Sequence, residues 1–255
     1  MSLTTLEQFE KSGIIILNDE KRKNKASREL FEGLLNLLEQ CENNEKITGI
    51  IITGVNDSFC AGADLKEAAD IDNFIDYVQY GKKVINKIFN YKKPVIAALN
   101  GFAFGGGLEL ALSCDLIYST MDIMVGLPEV SLGMYPGWGG TQLLIKRIGP
   151  GLAKEIIFTG KKIAAEDAWE IGLIDRIFDN GNTLIYEALN TLKLMSENCP
   201  QAIYKAKEMI NLYYKMPTIE GLKTELSEFT KWIQQEYATE GINAFFEKRD
   251  PNWKT

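Results

Sequence analysis

The feature that most constrains the fold is an alternation of short apolar runs with longer segments whose apolar residues recur at helical spacing. The runs are rich in β-branched residues and end at turn-forming residues, which is typical of strands. Four of them lie in the first half of the chain: Gly13–Leu17, Ile47–Gly54, Pro94–Leu99 and Asp115–Ser119. Because uninterrupted apolar strands are buried on both faces, their separation by amphipathic segments predicts βαβ units and a largely parallel sheet.

The intervening segments have helical signals. Ser27 is suited to cap the first predicted helix, and Glu29 lies in its first turn. The apolar residues of this helix are Leu30, Phe31, Leu34, Leu35 and Leu38, and those of the next helix are Phe74, Ile75, Val78, Ile85, Ile88 and Phe89. Both sets follow the period of an amphipathic helix that buries one face.

From about Leu184 onward the pattern is helical only, and Pro200 and Pro217 stand at predicted helix starts. One apolar stripe in this part consists of Ile219, Leu222, Leu226, Phe229 and Ile233. We therefore predict an α/β core over residues 1–195 and a helical region over residues 196–255. That region packs either on the core or on a neighbouring subunit.

Composition excludes several functions. The 255 residues are 45% hydrophobic and 25% charged, which is ordinary for a globular protein. A formal net charge of −7 offers no basic surface for nucleic acid or an anionic membrane. The sequence has no recognisable signal peptide and no apolar run near the ~18 residues of a membrane span. We therefore expect a cytoplasmic protein with no nucleic-acid or membrane partner.

The chain contains no histidine, and its four cysteines stand far apart. Catalytic triads that rely on imidazole, histidine-ligated zinc and histidine general bases are therefore excluded. The cysteines form no C-x-x-C pair, and no metal site is predicted. Acid–base chemistry must come from carboxylate, lysine, tyrosine or thiol groups, and carboxylates are the leading candidates.

Two glycine-containing loops follow predicted strands, at Ser58–Glu67 and Asn100–Glu109. Neither matches a P-loop or the G-x-G-x-x-G pattern. Each loop alone is explained as well by a tight turn. Together, two such loops after neighbouring strands could each direct one backbone N–H toward a single carbonyl oxygen and so form an oxyanion hole.

Two glutamates are candidate acid–base groups. Glu109 follows the three glycines within an apolar helical segment, and Glu129 is also flanked by apolar residues. Glutamate is rarely buried without a partner. Taken singly, a solvent-facing position for Glu109 and a turn position for Glu129 are equally good interpretations.

Several motifs follow one another in a fixed order. They are AGADLKE at Ala61–Glu67, NGFAFGGGLELALSCD at Asn100–Asp115, PEVSLG at Pro128–Gly133, PGWGGTQ at Pro136–Gln142, TGK at Thr159–Lys161 and FEKR at Phe246–Arg249. In this order the chain resembles the enoyl-CoA hydratase/isomerase (crotonase) family from about Leu6 to its end. The resemblance implies a crotonase-like α/β spiral of repeated ββα units. It also implies C-terminal helices that contribute to a homotrimer or a dimer of trimers.

The resemblance assigns roles to individual residues. It implies that the backbone N–H groups of Ala63 and Gly106 form an oxyanion hole and that the Gly137 N–H positions a water molecule. Glu109 and Glu129 correspond to the two catalytic carboxylates of the family's hydratases.

The resemblance also implies a loop over the CoA nucleotide at Asp19–Lys25. The predicted CoA-binding residues are Lys21, Arg22, Lys23, Lys25, Ala61, Asp64, Leu65 and Lys66, with Lys248 as a further candidate. Outside the family context, a solvated loop explains this basic cluster better. Lys25 also departs from the small residue that is usual in the family at that position.

The implied reaction is reversible syn addition of water to a short-chain trans-2-enoyl-CoA, giving a 3-hydroxyacyl-CoA. Ionised Glu109 would deprotonate the attacking water, and protonated Glu129 would protonate the α-carbon. No metal or redox cofactor is required, because the CoA is part of the substrate.

Other activities of the family stay open as alternatives. Isomerases typically keep only the carboxylate at the position of Glu129, so the presence of Glu109 favours a hydratase. Decarboxylases, polyketide-pathway dehydratases acting on carrier-protein thioesters and non-catalytic RNA-binding members are further alternatives. Trp138 replaces the family's small residue, and it either packs in the core or shortens the acyl site.

Overall fold

The structure is a computed structural model that describes residues 2–67 and 71–253, with only the backbone of Ile71. In this part of the chain the strands are β1 (Thr4–Phe9), β2 (Ser12–Leu17), β3 (Gly49–Gly54), β4 (Ser58–Cys60), β5 (Val95–Leu99), β6 (Phe102–Phe104), β7 (Leu116–Thr120), β8 (Met124–Gly126), β9 (Lys162–Ala164) and β10 (Arg176–Phe178). The helices are α1 (Arg28–Asn43), α2 (Ile71–Phe89), α3 (Gly106–Leu112), α4 (Gly140–Thr159), α5 (Ala165–Glu170), α6 (Gly181–Ser196), α7 (Pro200–Ile210), α8 (Thr218–Trp232) and α9 (Glu236–Glu247). Short 3-10 segments occur at Glu20–Arg22, Leu65–Glu67, Glu129–Leu132 and Asn211–Tyr214.

From β3 to β8, successive strands alternate between two sheets. The large sheet has the order β1-β2-β3-β5-β7-β10, and the small sheet has the order β4-β6-β8-β9. Strands β3, β5 and β7 each pass into a strand of the small sheet and then toward a helix. Neighbouring strands are parallel except where β1 and β9 pair. Each turn of the chain is therefore a ββα unit, and the predicted α/β spiral is confirmed.

The central strand β3 is buried on both faces. Ile50 and Ile52 belong to the main core, to which α1 and α2 contribute their apolar faces. Ile51 belongs to a second core on the other side of the sheet, together with Leu184 and Ala188 of α6. This two-sided burial explains why the strand has an uninterrupted apolar sequence instead of an alternating one.

The elements predicted for the first half are present, with strand ends shifted by one or two residues. Ser27 caps α1, because its hydroxyl accepts the N–H of Leu30 at 3.2 Å. Ile75 is 50% exposed, so its assignment to the apolar face of α2 was wrong.

The small sheet was not predicted. The sequence predicts loops at Ser58–Cys60 and Phe102–Phe104, whereas the structure has strands there. Each strand of this sheet is only three residues long, which is too short to show a period of two. The edge strand Thr4–Phe9 was also missed, because most of its side chains are exposed and polar.

The C-terminal helices begin where prolines predict them: Pro200 is the first residue of α7, and Pro217 directly precedes α8. The apolar stripe of this region is 48% to 68% exposed, at Ile219, Leu222, Leu226, Phe229 and Ile233. The stripe therefore does not pack on the core of its own chain. Helix α6 ends at Ser196, and the division of the chain at residue 195 stays a prediction.

In the part of the chain that the structure describes, no helix combines the length and apolar character needed to cross a membrane.

Candidate active site

The two glycine loops meet at one end of the strands of the small sheet. Strands β4 and β6 are parallel neighbours, so the loops that follow them leave the sheet at the same end. A Cβ built on Gly107 would lie 2.1 Å from the carbonyl oxygen of Cys60, and one built on Gly62 would lie 3.4 Å from the Gly106 nitrogen. Larger residues would separate the loops, so glycine is needed here for close backbone approach.

The backbone around Ala63 is fixed by hydrogen bonds on both sides. The Ala26 N–H donates to the Gly62 carbonyl at 2.9 Å. The phenol of Tyr77 accepts the Asp64 N–H at 3.0 Å and donates to the Ala26 carbonyl at 2.6 Å. Tyr77 is buried and was missed by the sequence analysis, because a tyrosine within an amphipathic helix carries no signal of such a contact.

Gly106 is the first residue of α3, so its N–H has no acceptor within the helix. The preceding Gly105 has a φ of 52°, a conformation that favours glycine. The structure thus brings Ala63 and Gly106 to the same place at this end of the strands. Their role as oxyanion donors stays a prediction.

Glu109 lies on α3 with only 2% of its surface exposed, so the solvent-facing interpretation is wrong. Its Oε1 accepts the N–H groups of Trp138 and Gly140, both at 2.8 Å. Burial raises the pKa of this carboxyl above its ordinary value, and the N–H groups of the Trp138–Gly140 turn and the charge of Lys82 offset part of that rise. The N–H donors favour the ionised form of Glu109 against its burial.

Glu129 lies in the 3-10 segment Glu129–Leu132, and its carboxyl is in a different environment. A Cβ built on Gly105 would lie 3.2 Å from its Oε1, so the carboxyl lies against the glycine turn. Within the described residues its buried Oε2 has no hydrogen-bond partner. The pKa of Glu129 is raised to about 7, mainly by burial, with its own N–H lowering it and the charge of Glu109 raising it.

The turn that holds Glu109 begins after Gly137, which is exposed, and a Cβ built there would make only ordinary contacts, at 3.9 Å with Val78 and 4.0 Å with the Tyr135 carbonyl. The next side chain, that of Trp138, is 3% exposed and packs against Phe31 and Tyr77, with ring centroids 5.3 and 5.6 Å away. The predicted packing of this tryptophan in the core is therefore confirmed, and a role in shortening the acyl site stays a prediction. A Cβ on Gly106 would lie 2.2 Å from the Trp138 Cζ3, so the ring also forms a wall beside the glycine turn.

Helix α2 holds Trp138 through two further contacts that the sequence did not reveal. The indole N–H donates to the Val78 carbonyl at 3.1 Å. The ammonium of Lys82 donates to the Trp138 carbonyl at 3.0 Å. These two positions lie on one face of α2, four residues apart.

The Asp19–Lys25 loop packs on the first glycine loop. The Ala61 N–H donates to the Lys23 carbonyl at 3.1 Å, and the Ser58 hydroxyl donates to the same carbonyl at 2.8 Å. Asn24 is fully buried and bridges the Asp19 N–H, at 2.8 Å, to the Ser58 carbonyl, at 2.8 Å. The structure thus brings the two predicted parts of the CoA surface together.

The cations of this surface already have acidic partners. Arg22 and Lys25 lie 3.6 and 3.8 Å from the buried carboxylate of Asp64, and Lys23 lies 2.7 Å from Asp57. Of the other predicted CoA-binding residues, Lys21, Leu65 and Lys66 are exposed. Lys248 is an exposed residue with a φ of 55° at the end of α9. The CoA-binding roles stay predictions.

Among residues 2–67 and 71–253, no group of three or more acidic or cysteine side chains is arranged to hold a metal ion.

The sequence model of the enoyl-CoA hydratase/isomerase family matches residues 10–255. The chain is 37% identical over 242 residues to the mitochondrial enoyl-CoA hydratase of Pongo abelii, an alignment that covers 95% of this chain and 83% of that protein. It is 34% identical over 252 residues to the short-chain-enoyl-CoA hydratase of Clostridium acetobutylicum, which covers 96% and 94% of the two chains. The crystal structure of an enoyl-CoA hydratase from Bacillus anthracis matches with a TM-score of 0.93 and 35% identity over 99% of both chains. The crotonase-like fold is therefore confirmed.

Proposed function

The chain belongs to the enoyl-CoA hydratase/isomerase family, and we propose that it adds water reversibly, in the syn sense, to a short-chain trans-2-enoyl-CoA. The product is a 3-hydroxyacyl-CoA, and the enzyme is a lyase. Glu109 and Glu129 are the catalytic pair of this proposal. The backbone N–H groups of Ala63 and Gly106 form its oxyanion hole, and the N–H of Gly137 positions the water.

The unequal environments of the two glutamates carry the proposal. Glu109 accepts two backbone N–H groups at 2.8 Å, which favours a carboxylate. Glu129 has a buried oxygen without a donor and a pKa raised to about 7, which favours a neutral acid. Two carboxyl groups whose environments separate their pKa values are suited to act as base and acid in one reaction.

The chemistry follows from these protonation states. Glu109 takes a proton from water as the hydroxyl oxygen bonds to C3, and the π electrons of the C2–C3 bond move toward the thioester carbonyl. The N–H groups of Ala63 and Gly106 stabilise the resulting enolate oxygen, an effect worth about 3 kcal/mol per donor in comparable enzymes. Glu129 then gives its proton to C2. Proton exchange with solvent restores both glutamates, and dehydration runs the same steps in reverse.

A short acyl chain is supported by Trp138. Its ring packs directly over Gly106, next to the proposed position of the thioester carbonyl. A large buried side chain at this place limits the space beyond the reacting carbons. The relative from Clostridium acetobutylicum, whose name specifies short-chain substrates, supports the same substrate class.

The CoA part of the substrate would bind along the Asp19–Lys25 loop and the residues from Ala61 to Lys66. Phosphates would compete with Asp64 for Arg22 and Lys25, which lie 3.6 and 3.8 Å from it, and with Asp19 for Arg22, which lies 2.7 Å from that carboxylate. Exposed Lys21 and Lys66 would add positive charge from the two parts of this surface.

The active assembly of this proposal is a homotrimer or a dimer of trimers. The exposed apolar stripe on α8 supports it, because five large apolar side chains in one row are costly to leave in water. In this account residues 1–195 carry the acyl-CoA site and residues 196–255 carry the trimer contacts.

A panel of CoA thioesters tests the proposed reaction. The purified protein is incubated with trans-2-enoyl, trans-3-enoyl, 3-hydroxyacyl and 2-carboxyacyl thioesters of four to ten carbons, and products are identified by mass spectrometry. Hydration of the four-carbon 2-enoyl substrate should be fastest. Faster double-bond migration, decarboxylation or thioester hydrolysis would assign the chain to another activity of the family.

A further inference from the structure

The turn Trp138–Gly140 is held at three points. Its two ends donate N–H groups to the same oxygen of Glu109, both at 2.8 Å. The Trp138 carbonyl between them accepts a hydrogen bond from the Lys82 ammonium at 3.0 Å. Gly139, in the middle, has a φ of 138°, which side-chain-bearing residues rarely adopt. A turn in this conformation depends on its contacts to keep its N–H groups directed at Glu109.

Lys82 is half-buried on α2, and its ammonium lies close to the turn. A Cβ built on Gly139 would be 3.4 Å from the Lys82 Nζ. None of the ion pairs found among the described residues involves Lys82. Its hydrogen bond goes to a backbone carbonyl instead. A hydrogen bond from a charged donor to a carbonyl is stronger than one between neutral groups, so this contact can fix the turn.

We propose that Lys82 is a positioning residue of the hydration reaction, which holds the Trp138–Gly140 turn so that its N–H groups align the Glu109 carboxylate toward water. This inference rests on the proposed function. Lys82 acts through the turn, so the residue is not itself part of the acid–base pair.

The charges near Glu109 predict the direction in which its pKa changes when Lys82 is replaced. The charge that acts on this carboxyl is that of Lys82 from α2, and the charge of Glu109 in turn raises the pKa of Glu129 in the 3-10 segment. The lysine charge lowers the pKa of Glu109, and a negative charge on Glu129 opposes ionisation of its neighbour. Removal of the ammonium should therefore raise the pKa of Glu109 as well as loosen the turn.

Three variants on α2 separate this role from a general effect of charge. Lys82→Met removes the ammonium, Lys82→Arg keeps a charged donor, and Lys83→Met removes the neighbouring exposed charge. In Lys82→Met, kcat for hydration of crotonyl-CoA is expected to fall roughly tenfold to a hundredfold, with KM within about twofold of wild type. The acidic limb of its pH–rate profile should move to higher pH. Lys82→Arg should recover most of the rate, and Lys83→Met should match wild type in both respects.

A second measurement does not depend on activity. The ¹³C resonance of the Glu109 side-chain carboxyl is assigned as the one that disappears in Glu109→Gln. Its chemical shift is then followed by NMR as the pH is varied. The pKa of this carboxyl should be higher in Lys82→Met than in wild type and Lys83→Met. Lys82→Gln serves in place of Lys82→Met if the latter does not fold.

The outcomes are distinguishable. An unchanged Glu109 titration together with an unchanged rate profile in Lys82→Met would overturn the inference. If wild type did not hydrate enoyl-CoA at all, the proposed function would fail, and the Glu109 titration would still decide whether Lys82 controls this carboxyl.

Discussion

The indole of Trp138 lies in space that a side chain at Gly81 would need, because a Cβ on Gly81 would be 2.2 Å from the Trp138 Cε2. The same ring covers Gly106, where a Cβ would meet Cζ3 at 2.2 Å. Two glycines on two helices thus make room for one large side chain beside the proposed oxyanion donor. The backbone of the same tryptophan donates to Glu109, so the proposed wall of the acyl site and the proposed catalytic base are held by one residue.

Replacement of this wall should lengthen the substrates that the enzyme accepts. In Trp138→Phe, the ratio of kcat/KM for the eight-carbon to that for the four-carbon 2-enoyl-CoA is expected to rise roughly tenfold. Each methylene that enters the vacated space gains about 0.8 kcal/mol, and two of them account for that factor. Steady-state hydration rates across four to ten carbons measure the ratio.

Trp169→Phe is the matched control, since Trp169 is 49% exposed on α5. Its chain-length profile should equal that of wild type. A profile for Trp138→Phe that also equals wild type would show that the ring does not limit the acyl chain.

Tyr77 supplies a second prediction, since its phenol ties the first glycine loop to Ala26. Tyr77→Phe leaves the Asp64 N–H and the Ala26 carbonyl without this partner, which should cost about 1–3 kcal/mol of unfolding free energy. Because the same bonds orient the peptide of Ala63, kcat for hydration should fall as well. Urea unfolding and steady-state kinetics measure the two effects.

Tyr91→Phe is a close control, because the buried Tyr91 phenol donates to the Leu38 carbonyl at 2.8 Å. It should lose a comparable free energy of unfolding and keep the wild-type kcat. Equal loss of stability with full kcat in both variants would mean that Tyr77 has no role in the oxyanion loop.

Much of the large sheet was predictable, because two-sided burial gives strands such as β3 a continuous apolar sequence. The candidate site was predictable only in part. Glu109, Glu129 and the glycine loops stood out because carboxylates in apolar surroundings and consecutive glycines are unusual. Their shared location follows from the parallel pairing of two three-residue strands, which have no periodic signal of their own.

The supporting contacts were beyond reach of the sequence. Tyr77, Val78 and Lys82 lie on one amphipathic helix, where a tyrosine, a valine and a lysine are ordinary residues. Their contacts run to backbone groups 13 to 60 positions away in the chain. Backbone N–H and carbonyl groups are the same in nearly every residue, so no sequence motif indicates such a hydrogen bond.

Glu129 predicts a pH dependence of stability. Burial, followed by the nearby Glu109 charge, raises the pKa of Glu129 from 4.5 to about 7. A group with a higher pKa in the folded chain holds its proton more tightly there, so stability is lost as pH rises from about 4.5 through about 7. Urea unfolding at several pH values in this window should show the decrease.

Glu129→Gln is neutral at every pH and should flatten this part of the stability profile. Glu166→Gln, an exposed position on α5, should keep the wild-type slope. An equal slope in wild type and Glu129→Gln would contradict the assigned environment.

The exposed stripe on α8 predicts self-association. Light scattering over a dilution series should give a mass of three or six times the 28.6 kDa chain. Leu226→Glu places a charge in the stripe and should lower that mass, whereas Ser227→Glu places the same charge on an exposed polar position of the helix. A fully active monomer of wild type would contradict the proposed assembly.

The central claim is that two glutamates with opposite protonation states hydrate a short enoyl thioester. The most direct measurement is the rate of crotonyl-CoA hydration by wild type, Glu109→Gln and Glu129→Gln, with CoA affinity measured by calorimetry in each. Both variants should lose at least about a hundredfold in kcat, the lower range of general acid–base contributions, while CoA affinity changes little. Near-normal hydration by Glu109→Gln would contradict the account and favour a reaction that uses Glu129 alone.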